Sequence, residues 1–201
     1  MTEKEKMLAG KLYNSFAKEI SDSFLRANRL CKEYNLLDCS EVSQRAHILS
    51  ELLGHTGKNL NMVGPIFFDH GKNTFIGDNC FFNYNTTILD AAEVYFDDNV
   101  LVGPNVSFLT PLHPLVASQR ISKIHKDGQL SNSEYAKPIH IGSNVWIAGN
   151  VTINAGVTIG DNTVIGSGSV VSRDIPSDVL AVGVPCRVIR KITDKDKMEE
   201  F

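Results

Sequence analysis

The chain has 201 residues, 42% of them hydrophobic and 21% charged, and its 20 Lys+Arg against 23 Asp+Glu give a formal net charge of −3. That is the size and balance of one globular domain with room for a small cap; it argues against a general nucleic-acid binder, and no run approaches the ~18 apolar residues of a membrane span. Cys31, Cys39, Cys80 and Cys186 are scattered with no CxxC pair, and the mixed-charge start Met1–Lys6 offers no apolar signal core, so free thiols and a cytoplasmic location are expected.

Residues 1–58 are predicted to form a helical cap. Ile20, Phe24, Leu30 and Tyr34 fall near one face of a helix over 19–34, with charges between them. Ser40 is placed to cap a second helix with Glu41 in its first turn. That helix carries an apolar stripe of Val42, Ala46, Leu49 and Leu53, and Gly54 stops it.

Residues 59–192 follow a different rule. Ile141, Ile147, Ile153, Ile159, Ile165 and Val171 stand six apart, and Val145, Val151 and Val157 form a second row in phase with them. Neither a helix nor one long strand has that period. A strict six is the mark of a parallel β-helix, in which each hexapeptide is a short strand plus a turn, and three of them close one triangular coil of about 18 residues. No coil buries a core alone, so several must stack. Gly and Asn at the turns supply conformations that β-branched residues avoid. Earlier in the chain, Ile76 and Phe82 keep the step of six, as do Phe96, Val102 and Phe108. Registers 76 and 96 disagree, which predicts a small insertion near residues 88–94.

The repeat stops at Thr110 and resumes at Ile139, leaving a loop over 110–138 that contains Pro111-Leu-His113-Pro114. A long excursion from a rigid scaffold is a functional candidate. The chain ends in a charged tail, 193–201, expected to fray.

The Ile-Gly-Asp-Asn repeats, the Thr110–Arg120 loop, Ile141-Gly-Ser-Asn-Val-Trp-Ile147, Ala181-Val-Gly-Val-Pro-Cys-Arg-Val-Ile-Arg190 and the opening Lys6-Met-Leu-Ala-Gly-Lys-Leu-Tyr13 together resemble the hexapeptide-repeat acetyltransferases, specifically the maltose, galactoside and nodulation-factor sugar O-acetyltransferases. The resemblance covers about residues 4–192. It implies a left-handed β-helix, a homotrimer with sites between adjacent subunits, acetyl-CoA as donor, a sugar hydroxyl as acceptor and no metal.

Within that resemblance His113 is the candidate general base. Acetyl transfer to an alcohol needs a group that takes a proton near neutral pH, and an imidazole suits that task; the alternative is a surface-loop histidine. Asn83 matches a family asparagine near the reacting centre, able to hold the acceptor hydroxyl or the oxyanion, against the plainer reading of a turn asparagine. Glu134 matches a family glutamate near the histidine and is expected to orient the imidazole, or else to face solvent. Trp146, the only tryptophan, is expected to point outward beside the donor groove. Ala148, Gly149, Ser167 and Ser172 line the rungs along which the pantetheine arm would run, and Arg173, Arg187 and Arg190 would meet the CoA phosphates. Ser15, Asp69 and Asn83 are implied for the acceptor pocket. Ser15 replaces an aspartate of galactoside enzymes, and the 121–136 segment is longer than in typical members. His47, His55, His70, His125 and His140 are read as structural, with His70 able to approach the acceptor.

Two other classes compete. Zinc hydratases that share the prism need three histidine ligands, and the repeat carries no such set. A non-catalytic assembly platform would leave the His-Pro loop unexplained. Within acetyl transfer, an antibiotic alcohol or a serine is the alternative acceptor.

Overall fold

A computed structural model describes residues 1–124, 128 and 130–199 of the chain; His125 lies outside the described residues. Helices α1 (Glu3–Leu8), α2 (Lys18–Leu36) and α3 (Val42–Leu52) precede a left-handed parallel β-helix. The first face of its prism stacks His55–Thr56, Thr74–Ile76, Val94–Phe96, Ile139–Ile141 and Thr158–Ile159. Asn61–Met62, Phe81–Phe82, Leu101–Val102, Trp146–Ile147, Val164–Ile165 and Val179–Val182 build the second face, and the antiparallel Arg187–Lys191 strand extends it. Ile66–Phe68, Thr86–Leu89, Ser107–Leu109, Thr152–Asn154 and Val170–Val171 make the third. The first solenoid strand thus begins at His55, a few residues before the boundary expected at 59.

The hexapeptide rows are the core. Ile141, Ile147, Ile153, Ile159, Ile165 and Val171 are all fully buried, and Val145, Val151 and Val157 lie inside with them. Stacked coils put each inward residue on its counterpart one coil away, for example Phe108 on Ile153 and Ile88. Phe82, Phe96 and Phe108 meet edge to face, with centroids 5.0 and 4.8 Å apart.

The corners are built by asparagine. Asn59, Asn79, Asn99, Asn144 and Asn162 all hold positive φ, which asparagine tolerates better than branched residues. Their amides form a ladder from coil to coil at 2.8–3.2 Å, capped by Asp178. Asn85, Asn105 and Asn150 repeat the device at the corner between the second and third faces.

The helices close the first coil, with α2 packed on α3 and on Ile66–Phe68. Their details depart from the sequence reading. In α2 the buried residues are Ile20, Ala27, Leu30, Cys31 and Tyr34, while Phe24 is exposed. Ser40 does not cap α3. Its amide and hydroxyl both donate to Asp38 Oδ1, and the N-cap is Glu41, with no side-chain capping bond. The face α3 buries is Arg45, Leu49 and Leu52, whereas Val42 and Ala46 face out. Arg45 is tolerated inside because its guanidinium donates to the Tyr34 hydroxyl (2.9 Å) and to the carbonyls of Met62 (2.8 Å) and Val63 (2.6 Å). In the tail, Asp194–Asp196 forms a 3₁₀ turn that folds back onto Arg190.

Candidate active site

One corner of the prism, between the third and first faces, is swollen in three successive coils. Phe68 to Ile76 and Ile88 to Phe96 each take eight residues where the repeat takes six. The second of these is the insertion expected near 88–94; the first, at Asp69–Asn73, escaped the sequence reading. The third departure is the 110–138 loop. Asp90 knits the first two together. Its carboxylate accepts from the amides of His70 (2.8 Å), Gly71 (3.0 Å) and Asn73 (3.2 Å) and from the Thr74 hydroxyl (3.1 Å). Thr110 pins the loop base, its hydroxyl donating to the Leu89 carbonyl at 2.7 Å and accepting from the Ala92 amide at 2.9 Å.

The loop is shaped by the N-terminus. Strand Tyr13–Asn14 pairs antiparallel with Ser133–Ala136, which pairs in turn with Pro111–Leu112, a small sheet standing off the solenoid. His113 follows directly. Its ring is exposed, and Nδ1 lies 3.4 Å from the Ser133 carbonyl oxygen. A proton on Nδ1 facing that carbonyl leaves Nε2 as the basic nitrogen. The backbone of residue 133 therefore stands where sequence reasoning put the Glu134 carboxylate. That carboxylate instead accepts from the Tyr13 hydroxyl at 2.9 Å.

A cavity of about 350 Å³ opens at this corner, lined by Tyr13, Ser15, Phe16, Ile20, Ser21, Phe24, Asp69, His70, Ala91 and Glu134. Ser15, Asp69 and Glu134, chosen from sequence, thus share one hollow. Tyr13, Phe16 and Phe24 were missed as lining residues, because two-residue strands and an exposed helix face leave no period to read. His70 does reach the cavity, with Nδ1 3.1 Å from Ser23 Oγ. Burial pushes the Asp69 carboxyl up to about 7, and the charges of Asp90 and Glu134 add to the push. Burial also lowers His70 to about 4, with Lys4 and Arg26 contributing, so its imidazole is neutral. A larger hollow between α2 and α3, lined by Glu33, Leu36, Leu37, Ser43, Gln44, His47 and Ile48, lies on the helical cap and includes no residue of this loop.

The remaining candidates sit elsewhere. Asn83, Ala148, Gly149 and Ser167 stack at the corner between the second and third faces, where Asn83 N donates to Val102 O at 2.9 Å and Ala148 N to Ile165 O at 2.9 Å. A Cβ on Gly149 would meet Pro104 at 3.3 Å, so the rung accepts nothing larger without adjustment. Trp146 points outward from the second face, half exposed, in register with Leu101 and Val164. Arg187 is exposed on the terminal hairpin. Arg190 is held by Asp196 at 2.7 and 2.8 Å. Ser172 and Arg173 follow the last strand of the third face, on the His113 corner but two coils beyond the loop.

Two groups of residues therefore occupy two different edges of the prism. His113, Glu134, Ser15 and Asp69 gather at one; Asn83, Ala148, Gly149 and Ser167 gather at the other, beside Trp146. The width of the third face separates them. Among the described residues no cluster of three His, Cys, Asp or Glu is arranged to hold a metal, and no helix is long and apolar enough to cross a membrane.

Comparison with known proteins adds to this geometry. Residues 6–57 match the maltose acetyltransferase hexapeptide capping motif, and residues 138–173 match the bacterial transferase hexapeptide (six repeats). The galactoside O-acetyltransferase of Escherichia coli K12 is 42% identical over 197 residues, 98% of this chain and 93% of its own. A crystal structure of a maltose O-acetyltransferase from Clostridium difficile 630 superposes with a TM-score of 0.89 at 43% identity, over 96% of this chain and 99% of that one. A galactoside acetyltransferase in complex with coenzyme A gives a TM-score of 0.89 at 43% identity, over 100% of this chain and 96% of its own.

Proposed function

Since this chain belongs to the hexapeptide-repeat acetyltransferases of the maltose and galactoside type, we propose that it transfers an acetyl group from acetyl-CoA to a hydroxyl of a small sugar, with His113 as general base. The observation that carries the proposal is the His113 ring, turned by its Nδ1 toward the Ser133 carbonyl on a loop that borders an acidic, partly aromatic cavity. Carboxylates accept hydrogen bonds from sugar hydroxyls, and the Phe16 and Phe24 rings suit the apolar faces of a pyranose.

His113 Nε2 takes the acceptor proton as the hydroxyl oxygen attacks the thioester carbonyl. The C–S bond breaks, and the imidazolium returns the proton to the thiolate. No covalent enzyme intermediate is required. The Asn83 amide would hold the developing oxyanion or the acceptor. For the donor, the second face fits a long, thin substrate: the outward row of Leu101, Trp146 and Val164 offers apolar surface. The adjoining Gly103, Ala148, Gly149 and Gly166 keep the corner low. Arg187 and Arg173 are available for phosphates, whereas Arg190 would first have to leave Asp196.

Because Asn83 and His113 lie on different edges, a site using both is completed by a second copy of the chain. A cyclic homotrimer brings unlike edges together three times over.

The test is release of free CoA thiol from acetyl-CoA with maltose, glucose, galactosides, serine and chloramphenicol as separate acceptors, for wild type and His113→Ala. Sugar-dependent release that collapses in the variant supports the reading. Release with serine or chloramphenicol alone moves the acceptor outside the sugars, and no CoA binding at all leaves an assembly platform.

A further inference from the structure

The N-terminal strand does more than extend the cap, and one residue on it stands out. Tyr13 is 4% exposed, pairs directly across from Glu134 in the antiparallel register, and donates its hydroxyl to Glu134 Oε2 at 2.9 Å. Among the described residues the other carboxylate oxygen, Oε1, has only a long 3.4 Å contact with Asn132 Nδ2. Both Tyr13 and Glu134 line the cavity that also holds Asp69.

On the reading of that cavity as the acceptor pocket, we propose that Tyr13 is a positioning residue for acceptor recognition, acting through Glu134. Two features support this. A carboxylate on a four-residue strand has free rotamers, and the phenol fixes one of them by occupying Oε2, leaving Oε1 as the acceptor for a substrate hydroxyl. Finally, the next pair in the same register, Asn14 with Ser133, sets the carbonyl that His113 Nδ1 faces. The strand is itself fixed, since Asn14 N donates to Glu3 Oε2 at 2.6 Å and Asn14 Oδ1 accepts from the amides of Phe16 at 3.1 Å and Asn132 at 3.3 Å. The bracket that holds Glu134 thus comes from the capping segment.

Tyr13→Phe keeps the ring and its packing and removes only the hydroxyl. With the best sugar acceptor, KM for the sugar should rise by about tenfold, the worth of one hydrogen bond, while KM for acetyl-CoA and the melting temperature stay near wild type. In a Glu134→Ala background the same substitution should change nothing further, because its effect runs through that carboxylate. Independent multiplication of the two effects, or equal damage to both KM values, overturns the proposal. A second readout needs no acceptor: the NMR chemical shift of the Glu134 carboxyl carbon in the free protein. It should move when the phenol is removed, because the hydroxyl bonds that carboxylate; an unchanged resonance overturns the coupling. If wild type acetylates no sugar yet the Glu134 resonance moves, the acceptor reading fails, and with it the role of Tyr13 in acceptor recognition; the hydrogen bond alone survives.

Discussion

The Nδ1 atom of His113 faces the carbonyl oxygen of Ser133 at 3.4 Å. A backbone carbonyl is a fixed, uncharged partner, and it selects the tautomer with a basic Nε2. His113→Ala should therefore lower kcat by about a hundred- to ten-thousandfold and leave CoA binding within a factor of a few. Steady-state kinetics with isothermal titration of CoA checks both halves. Glu134→Gln should leave kcat nearly intact and raise KM for the acceptor, since its carboxylate bonds to Tyr13 and not to the imidazole.

Asp69 gives a pH dependence of defined sign. Burial holds its carboxyl at about 7 in the folded chain, above the ordinary carboxylate value near 4. Between those two values the folded state keeps a proton that the unfolded state has released, so this group's contribution to stability is full below about pH 4 and is lost as pH rises toward 7. Asp69→Asn should remove that slope, making the variant more stable relative to wild type at pH 7.5 than at pH 4.5. Thermal unfolding at both values reads the difference.

Asp90 has a different character although it stands in the same corner. It is fully buried, and four donors converge on its carboxylate. Asp90→Ala orphans three backbone amides and a hydroxyl, which should cost about 3 kcal/mol or more. Urea unfolding measures it, with the swollen corner melting before the remaining coils in hydrogen exchange.

The main row of the β-helix was legible because all six of its inward sites over 141–171 are apolar and its step never varies, so one-dimensional sequence carries a one-dimensional stack. The swollen corner was legible only in part. The slip between Phe82 and Phe96 shows in the register, but the equivalent slip at Asp69–Asn73 precedes the first clean repeat and needs Phe68 and Ile76 compared across it. The sheet of Tyr13, Ser133 and Pro111 was not legible, since two-residue strands far apart in sequence leave no alternation to detect. The face of α3 was misjudged because a buried arginine with four carbonyl or hydroxyl partners reads as a solvent residue. Ser40 was misjudged because Asp38 competes for its hydroxyl.

That arginine yields its own prediction. Arg45 ties α3 to Tyr34 of α2 and to the carbonyls of Met62 and Val63 in the first coil, and its guanidinium lies 4.2 Å from the Tyr34 ring centroid. Arg45→Met keeps the stem and drops the donors, taking the guanidinium from the part-buried Leu37 and Val63 carbonyls while Met62 keeps the Tyr34 hydroxyl. About 2 kcal/mol of stability should be lost, with CoA affinity unchanged because the rungs proposed for the donor lie on later coils.

The separation of His113 from Asn83 makes a sharper demand. His113 leaves the prism between the third and first faces, and Asn83 turns between the second and third, so the strand length of a whole face stands between them within one chain. If both act in one site, each site takes the histidine of one copy and the asparagine of its neighbour. His113→Ala and Asn83→Ala proteins should then each be nearly inactive alone. Denatured together, mixed in equal amounts and refolded, they should recover about a quarter of wild-type activity, because in a randomly mixed ring one neighbouring pair in four contributes both intact residues. Were the site contained in a single chain, no mixture would hold an intact one, and activity after mixing would stay at the level of the separate variants. Native mass spectrometry of the refolded mixture, which separates oligomers by their content of the two variants, confirms that exchange took place, so that a failure to recover activity counts against the shared site and not against the mixing.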